Sequence, residues 1–267
     1  MTISSSASNE QAQPARAALV VSDLHLQAAM PRTTEAFFNF LHTQATKTRQ
    51  LYLLGDIFEA WAGDDDIADA YNRLVVEEIK NISARGIEVF WIAGNRDFLV
   101  GEQFAKTCNI TLLPDPFVTT IADRLLVLTH GDAYCTDDAA YMEFRAQVRD
   151  AEWQRNFLAL PLTQRKAIIE NLRAGSRAAQ RDKSYEIMDV NDEAIAGLFE
   201  QTASATMIHG HTHRPARHDY QEDGKTRVRY VLSDWDLDGA APRGDWLALD
   251  TNGSIRRYDL NGVEIGN

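Results

Sequence analysis

Residues 17–26 read AALVVSDLHL, a short apolar run that ends in a polar segment carrying Asp23 and His25. Four further runs have the same form: LYLLG before Asp56, VFWIAG before Asn95, LLVL before His130 and ATMI before His209. Apolar runs of this length bounded by polar residues are typical of buried strands. We therefore expect five buried strands, each followed directly by polar side chains.

The segments around these strands predict how they connect. Residues 33–48 and 70–86 are helix-like and lie between the first three strands. Strands alternating with helices predict parallel strands joined by crossover helices. Three later segments, RVRYVL, DWLALD and SIRRYDL, alternate in polarity and predict antiparallel strands that complete a second sheet. The sequence therefore predicts an α/β (α+β) layered fold.

The spacing of the polar segments reveals one insertion. Successive motifs are 33, 39 and 35 residues apart as far as His130, but His211 follows only after 81 residues. The extra residues, at about 136–190, are rich in helix formers and predict a helical cap over the strand ends. Residues 1–16 have neither the basic nor the apolar region of a signal peptide, so we expect a disordered tail. One domain over residues 17–267 remains.

Composition excludes several classes of protein. The chain has 267 residues, of which 45% are hydrophobic and 25% charged, an ordinary globular balance. A net charge of -12 would repel a polyanion, so we expect no nucleic-acid partner. Cys108 and Cys135 form no CxxC motif, which argues against a disulfide framework and a thiolate zinc site and fits the cytoplasm.

The polar segments after the strands supply candidate metal ligands. Ligands of open α/β sheets bind beyond the carboxyl ends of the strands, so we expect all five segments to converge. Residues two apart in extended chain share a side, which pairs Asp23 with His25 and His211 with His213. The candidate ligands are Asp23, His25, Asp56, Asn95, His130, His211 and His213. Imidazole and carboxylate without thiolate suit Mn, Fe, Co or catalytic Zn, and seven ligands predict two divalent ions bridged by a carboxylate.

In this order, the motifs D-x-H, G-D, G-N, H-G-D and G-H-x-H resemble the signature of the calcineurin-like metallophosphoesterases. The resemblance implies a four-layer β-sandwich flanked by helices, with a dinuclear metal site. It also implies two ligand sets that share a bridging Asp56. The first set is Asp23, His25, Asp56 and His213, and the second is Asp56, Asn95, His130 and His211.

The third motif departs from that signature, because Arg96 stands where a histidine is usual. A guanidinium cannot deliver a proton at neutral pH, but it can clamp phosphate oxygens and oppose developing charge. Such a site suits a phosphate leaving group better than an alkoxide. We therefore expect phosphoanhydride hydrolysis, with Asn95 and Arg96 as the catalytic side chains.

A narrower resemblance covers residues from about 17 to 246. SDLHL, YLLGDIFEAWAGDDD, GNRDFLVG, HGDAYCTDDAAY, IMDVN and IHGHTHRP are similar to the UDP-2,3-diacylglucosamine hydrolase family. The resemblance implies attack at the uridylyl phosphorus with Mn²⁺, giving UMP and 2,3-diacylglucosamine 1-phosphate (lipid X) in lipid A biosynthesis. The implied substrate contacts are Asn95, Arg96, Asp138, Tyr141, Arg173, Ser176, Gln180, Lys183 and His211. Gln180 replaces the usual asparagine, which leaves that amide contact open.

The insertion itself is basic and amphipathic. Residues 145–183 hold nine basic side chains against four acidic ones, interleaved with large apolar residues from Trp153 to Leu172. These patterns fit an acyl-chain groove and an anionic membrane surface, and ordinary packing of helices on the core explains them as well. With the resemblance, we expect a peripheral protein on the cytoplasmic face of the inner membrane, with no protein partner.

Several alternatives stay open at this point. A related metallophosphoesterase acting on a soluble phosphodiester or nucleotide would share the ligands, and a non-catalytic scaffold could use the same fold. Glu59 and Trp61 follow Asp56 closely and either orient ligands or simply pack. Residues 64–66, three aspartates, are expected to form a solvated loop that caps a helix.

Overall fold

The computed structural model describes residues 16–181, 187–222 and 224–266, except for the side chains of residues 176–181 and 222. Its strands are β1 (Arg16–Val21), β2 (Thr48–Leu53), β3 (Glu88–Ile92), β4 (Thr111–Leu113), β5 (Phe117–Ile121), β6 (Arg124–Leu128), β7 (Thr206–His209), β8 (Ala216–Glu222), β9 (Lys225–Val231), β10 (Asp245–Asp250), β11 (Ile255–Asp259) and β12 (Glu264–Ile265). Its α-helices are α1 (Pro31–Thr43), α2 (Ala70–Ala84), α3 (Glu102–Cys108), α4 (Ala139–Arg149), α5 (Ala151–Leu158), α6 (Leu162–Arg181) and α7 (Asp192–Thr202).

The strands form two sheets. The larger has the order β12-β11-β10-β1-β2-β3-β4, and the smaller has the order β5-β6-β7-β9-β8. Strands β1 to β4 run parallel, as do β6, β7 and β9. The crossover helices α1 and α2 join β1 to β2 and β2 to β3, which confirms the parallel arrangement predicted for the first three strands.

Side-chain alternation along β1 shows why the sheets stack. Leu19 and Val21 face the core beneath α1 and α2, whereas Ala18 and Val20 face the core between the two sheets. Both faces of the strand are buried, which explains its continuous apolar run. Helix α7 covers the outer face of the smaller sheet through Phe199 and its neighbours. The layers are therefore helix, sheet, sheet and helix, and the predicted β-sandwich flanked by helices is confirmed.

The end of the chain divides between the sheets in a way that differs from the prediction. Of the three segments predicted to complete the second sheet, only RVRYVL, in β9, joins the smaller sheet; DWLALD and SIRRYDL form β10 and β11 of the larger one, with β10 antiparallel to β1. All six residues of β10 are buried. The polar ends of DWLALD are buried through hydrogen bonds, as Asp245 shows by accepting from Ser233 N.

Helices α4, α5 and α6 lie in the part of the chain where the cap was expected. Asp138 and Asp150 cap the amino ends of α4 and α5 by accepting backbone N–H bonds. Arg165 of α6 is buried and pairs with Asp65, and it also donates to the carbonyl of Ala62. These contacts attach α6 to the loop after β2. Within the described residues, no helix is long and apolar enough to cross a membrane.

A buried ion pair ties the two sheets together. Arg257 of β11 pairs with Asp245 of β10, and its second terminal nitrogen donates to the carbonyls of Val231 (2.8 Å) and Ala216 (3.2 Å) in the smaller sheet. The guanidinium thus satisfies acceptors from both sheets at once. Removing it would leave a carboxylate and two carbonyls buried without their donor.

We predict that Arg257→Met lowers the free energy of unfolding by about 3–5 kcal/mol, measured by urea denaturation. Arg217→Met is the control, because the Arg217 side chain of β8 is 40% exposed and pairs at the surface with Asp219, which is 48% exposed. That variant should lose at most about 1 kcal/mol. Equal losses in the two variants would contradict the role assigned to Arg257.

Candidate metal centre

The polar segments after β1, β2, β3, β6 and β7 meet at one edge of the sandwich, so the site draws on both sheets. Five of the predicted ligands have a left-handed backbone, with φ between 49° and 66°: Asp23, His25, Asp56, His211 and His213. The expectation that paired ligands share a side of extended chain was therefore wrong. Non-glycine residues in this region carry strain, which concentrates at functional sites.

The first cluster brings Asp23, His25 and His213 together. His25 Nε2 and His213 Nε2 lie 3.2 Å apart, and Asp23 Oδ1 lies 3.3 Å from His213 Nε2. His25 Nδ1 lies 2.8 Å from Glu59 Oε2, so the ring donates through Nδ1 and turns the lone pair of Nε2 inward. His213 Nδ1 faces Asp234 Oδ2 at 3.6 Å. Two imidazole nitrogens and a carboxylate oxygen thus point at one another.

The second cluster centres on Asn95. Its Oδ1 lies 3.0 Å from both His130 Nε2 and His211 Nδ1. His130 donates through Nδ1 to the carbonyl of Leu54 at 2.9 Å, and its Nε2 lies 3.6 Å from Asp56 Oδ1. The structure therefore brings the predicted members of the second ligand set into one group.

Buried acceptor atoms show that cations fit here. Asp23 Oδ1 is buried and accepts no well-formed hydrogen bond from any described residue. An uncompensated buried carboxylate oxygen is costly, and a bound cation removes that cost. One oxygen of Asp56 lies within 4.8 Å of ligand atoms from both Asp23 and His130. This position joins the clusters, and the bridging role of Asp56 remains a prediction.

Charge and burial set the protonation of these groups. Burial opposes ionisation of Asp23, yet the facing His213 holds the pKa of that carboxyl well below its usual range. Burial also opposes a charge on His130, but the carboxylates of Asp56, Asp23 and Asp132 outweigh it and raise its pKa to about 9. For His211, burial and the charge of His130 lower the pKa to about 4. In the metal-free site at neutral pH, His130 is therefore an imidazolium and His211 is a neutral imidazole.

Asp97 positions two of the loops, a role that the sequence analysis missed. Its carboxylate accepts backbone N–H bonds from Gly94 (2.8 Å), Asp56 (3.2 Å), Ile57 (2.8 Å) and Phe58 (3.4 Å). Burial and the charge of Asp56 raise the pKa of Asp97 to about 6. The signal was present in GNRDF, whose aspartate has no place in either ligand set.

Asp132 joins helix α4 to the centre and was also missed. It accepts hydrogen bonds from Tyr141 Oη at 2.8 Å and Arg145 Nε at 2.9 Å. The Tyr141 ring in turn stacks on His211, with centroids 5.8 Å apart. Arg149 donates to the carbonyls of residues 93 and 94 in the loop that carries Asn95. Helix α4 is therefore held against both sides of the second cluster.

The remaining candidates for substrate contact differ in burial and in hydrogen-bond partners. Asp138 is buried at the start of α4, where it accepts from Tyr141 N at 3.1 Å. Arg96 is half-buried, and its Nε has no hydrogen-bond partner among the described residues. Arg173 forms an ion pair with Glu59. The side chains of Ser176, Gln180 and Lys183 lie outside the described residues.

Most of the described basic side chains of the cap form ion pairs with carboxylates that lie outside the cap helices. Arg145, Arg149, Arg165, Lys166 and Arg173 all have carboxylate partners, so the local positive charge is largely compensated. The apolar side chains that pack on the main core are Trp153, Phe157, Leu160, Ile168 and Ile169. Packing of the cap on the core therefore accounts for much of the amphipathic pattern.

The three aspartates at 64–66 are not a purely solvated loop. Asp64 accepts from Gly101 N and Phe104 N, both at 2.9 Å, and so caps α3 from a distant part of the chain. Asp66 is buried and pairs with Lys166 at 2.6 Å. Trp61 packs beside Phe104 and donates through its ring nitrogen to Asp64. Of the two residues left open, Trp61 packs and Glu59 contacts a candidate ligand.

Metal loading should release a proton from His130. Below about pH 9 the metal-free ring is protonated, whereas a divalent ion binds only the neutral imidazole. We predict release of about one proton per chain at pH 7.5 and an affinity that rises with pH up to about 9. Calorimetric titration with MnCl₂ in buffers of different ionisation enthalpy measures this number.

His130→Gln cannot titrate and should release about one proton fewer than the wild type. His211 should contribute none, since its pKa lies at about 4. Metal binding by the wild type without proton release between pH 7 and 8 would contradict the charge assigned to His130.

Comparison with known proteins agrees with this geometry. Residues 17–215 match the model of the calcineurin-like phosphoesterase family. A UDP-2,3-diacylglucosamine hydrolase from Bordetella parapertussis is 45% identical over 244 residues, covering 90% of this chain and 94% of the relative. Relatives with the same name from Aromatoleum aromaticum (46% identical, covering 85% and 93%) and Cellvibrio japonicus (43% identical, covering 91% and 99%) are similar. The chain belongs to the calcineurin-like phosphoesterase family and, within it, to the UDP-2,3-diacylglucosamine hydrolases.

Proposed function

We propose that this chain hydrolyses the pyrophosphate bond of UDP-2,3-diacylglucosamine by attack at the uridylyl phosphorus, giving UMP and 2,3-diacylglucosamine 1-phosphate. One structural observation carries the proposal: two clusters of inward-facing imidazole, carboxylate and amide atoms meet beneath helices that present Tyr141 and Arg173. The named relatives, at 43–46% identity, support the same reaction. A scaffold would have no need for buried carboxylates held against lone pairs.

Two divalent ions held by the seven candidate ligands (Asp23, His25, Asp56, Asn95, His130, His211 and His213) would supply a water-derived nucleophile at neutral pH and would neutralise charge on phosphoryl oxygens. The chain's own residues then hold the substrate. Asn95 Oδ1 is fixed by its contacts with His130 and His211, so the amide has one orientation in the site. Arg96 follows it directly, and its guanidinium is charged at every relevant pH. We assign Arg96 to the phosphoryl oxygens, where it opposes charge that develops in the transition state.

We propose Mn²⁺ as the resident metal. The candidate ligands are imidazole, carboxylate and amide groups, which suit Mn²⁺ and are poor for thiolate-seeking ions. Among the described residues, neither group that could hold a metal includes a cysteine, and burial raises the pKa of the Cys108 and Cys135 thiols to about 12. Neither candidate group therefore provides a thiolate ligand.

We propose that the protein works as a peripheral protein on the cytoplasmic face of the inner membrane. The substrate carries two acyl chains, so it resides in a bilayer. On the cap, Leu158 and Leu172 expose 41% and 42% of their surface, and Arg155, which shares helix α5 with Leu158, is exposed as well. Exposed leucines with a cation suit the interface of an anionic membrane.

The position of attack can be read from the products. Hydrolysis of UDP-2,3-diacylglucosamine in ¹⁸O-labelled water with Mn²⁺ should place the label in UMP, as mass spectrometry of both products would show. Label in the lipid phosphate would mean that attack occurs at the other phosphorus. Faster turnover of a soluble phosphodiester than of the acylated nucleotide sugar would favour the alternative phosphoesterase, and no turnover at all would favour a scaffold.

The cap surface can be tested on vesicles that contain phosphatidylglycerol. The double variant Leu158→Asp with Leu172→Asp should bind these vesicles about tenfold less tightly in a flotation assay, because two apolar anchors are lost. Leu74→Asp is the control, since Leu74 is 58% exposed but lies on α2, outside the cap. Unchanged flotation of the double variant, or an equal loss in the control, would contradict membrane docking by the cap.

A further inference from the structure

Glu59 stands between the cap and the metal centre. One of its carboxylate oxygens, Oε2, accepts from His25 Nδ1 at 2.8 Å, and the other, Oε1, pairs with Arg173 of helix α6. All three side chains are mostly buried, with 14–20% of their surface exposed. A single carboxylate is thus shared between a candidate metal ligand and the cap.

The backbone fixes Glu59 opposite His25. The loops after β1 and β2 run side by side, with His25 N donating to Asp56 O at 2.9 Å and Leu26 N to Ile57 O at 2.8 Å. Glu59 N returns a hydrogen bond to Leu26 O at 3.1 Å. The carboxylate therefore reaches the imidazole from a rigid position, as an orienting group must.

The contact with α6 is polar and lies beside open space. A cavity of about 430 Å³ opens between the loop after β2 and α6, and its lining includes Tyr71, Lys166 and Ile169 together with Glu59 and Arg173. Close apolar packing does not fill this part of the junction. The pair formed by Glu59 and Arg173 is a polar contact that links α6 to a side chain touching a candidate ligand.

We propose that Glu59 is a positioning residue with two functions. It fixes the tautomer and direction of His25, and it holds Arg173 of the cap next to the metal centre through its own contact with His25. The first function follows from the hydrogen bond, because a donor at Nδ1 leaves Nε2 as the lone pair that faces Asp23 and His213. The second follows from the ion pair. The inference rests on the proposed function for its effect on substrate, but not for its effect on metal.

Metal affinity tests the first function without any substrate. Titration of the metal-free, full-length protein with MnCl₂ should show about 10–100-fold weaker binding for Glu59→Ala than for the wild type. Glu59→Gln keeps an acceptor oxygen for His25 and should recover most of this affinity. Wild-type affinity in Glu59→Ala, or equally large losses in both variants, would overturn the orienting role.

Lys166→Met is the matched control for the cap. Lys166 lies on the same helix and pairs with Asp66 at 2.6 Å and Asp69 at 3.4 Å, so the variant weakens the attachment of α6 without touching a candidate ligand. Its Mn²⁺ affinity should equal that of the wild type. A loss as large as that of Glu59→Ala would show that general docking of the cap, and not Glu59, supports the centre.

The second function is read from kinetics at saturating Mn²⁺. Glu59→Gln loses the charge that holds Arg173, so with UDP-2,3-diacylglucosamine its KM should rise more than its kcat falls. An unchanged KM would overturn this function. If the wild type does not turn over this substrate, the proposed function fails, and the titrations still decide whether Glu59 orients His25.

Discussion

Electron-rich atoms converge around the buried carboxylate of Asp23, and the rest of the structure is arranged to tolerate this. Asp23 Oδ1, His25 Nε2 and His213 Nε2 lie within 4.0 Å of one another. Without positive charge between them, such atoms repel and lose the hydrogen bonds that water would give. In the metal-free protein, a protonated His130 supplies part of that charge, and bound cations would supply more.

Holding the atoms in place requires unusual backbone and a set of buried acceptors. The left-handed residues at the strand ends would relax if their loops were free. Asp97 holds one of them, Asp56, by accepting four backbone N–H groups from the loops after β2 and β3, while Glu59 and Asp132 fix individual side chains. The strain at the ligands is therefore balanced by carboxylates one layer further out.

The sequence predicted the elements that depend on local pattern, but not those that depend on distant partners. Apolar runs in the sequence predict the buried strands, and the candidate ligands follow those runs directly. The assignment of β10 to the larger sheet could not be predicted, because burial of Asp245 depends on Ser233 and Arg257. Left-handed φ at Asp23 or His213 has no marker in the sequence, since glycine is the usual occupant. The cap charges looked available because their partners, such as Asp132 for Arg145, lie in other elements.

Asp56 lies close to both Asp23 and His130, where it would join two ions. The most direct measurement is the number of divalent ions per chain, determined by plasma mass spectrometry after loading with Mn²⁺ and removal of free metal. We predict two ions in the wild type, loosened binding of both in Asp56→Ala, and a loss chiefly of one in Asp23→Ala. A single ion in the wild type, or two tightly held ions in folded Asp56→Ala, would contradict this prediction.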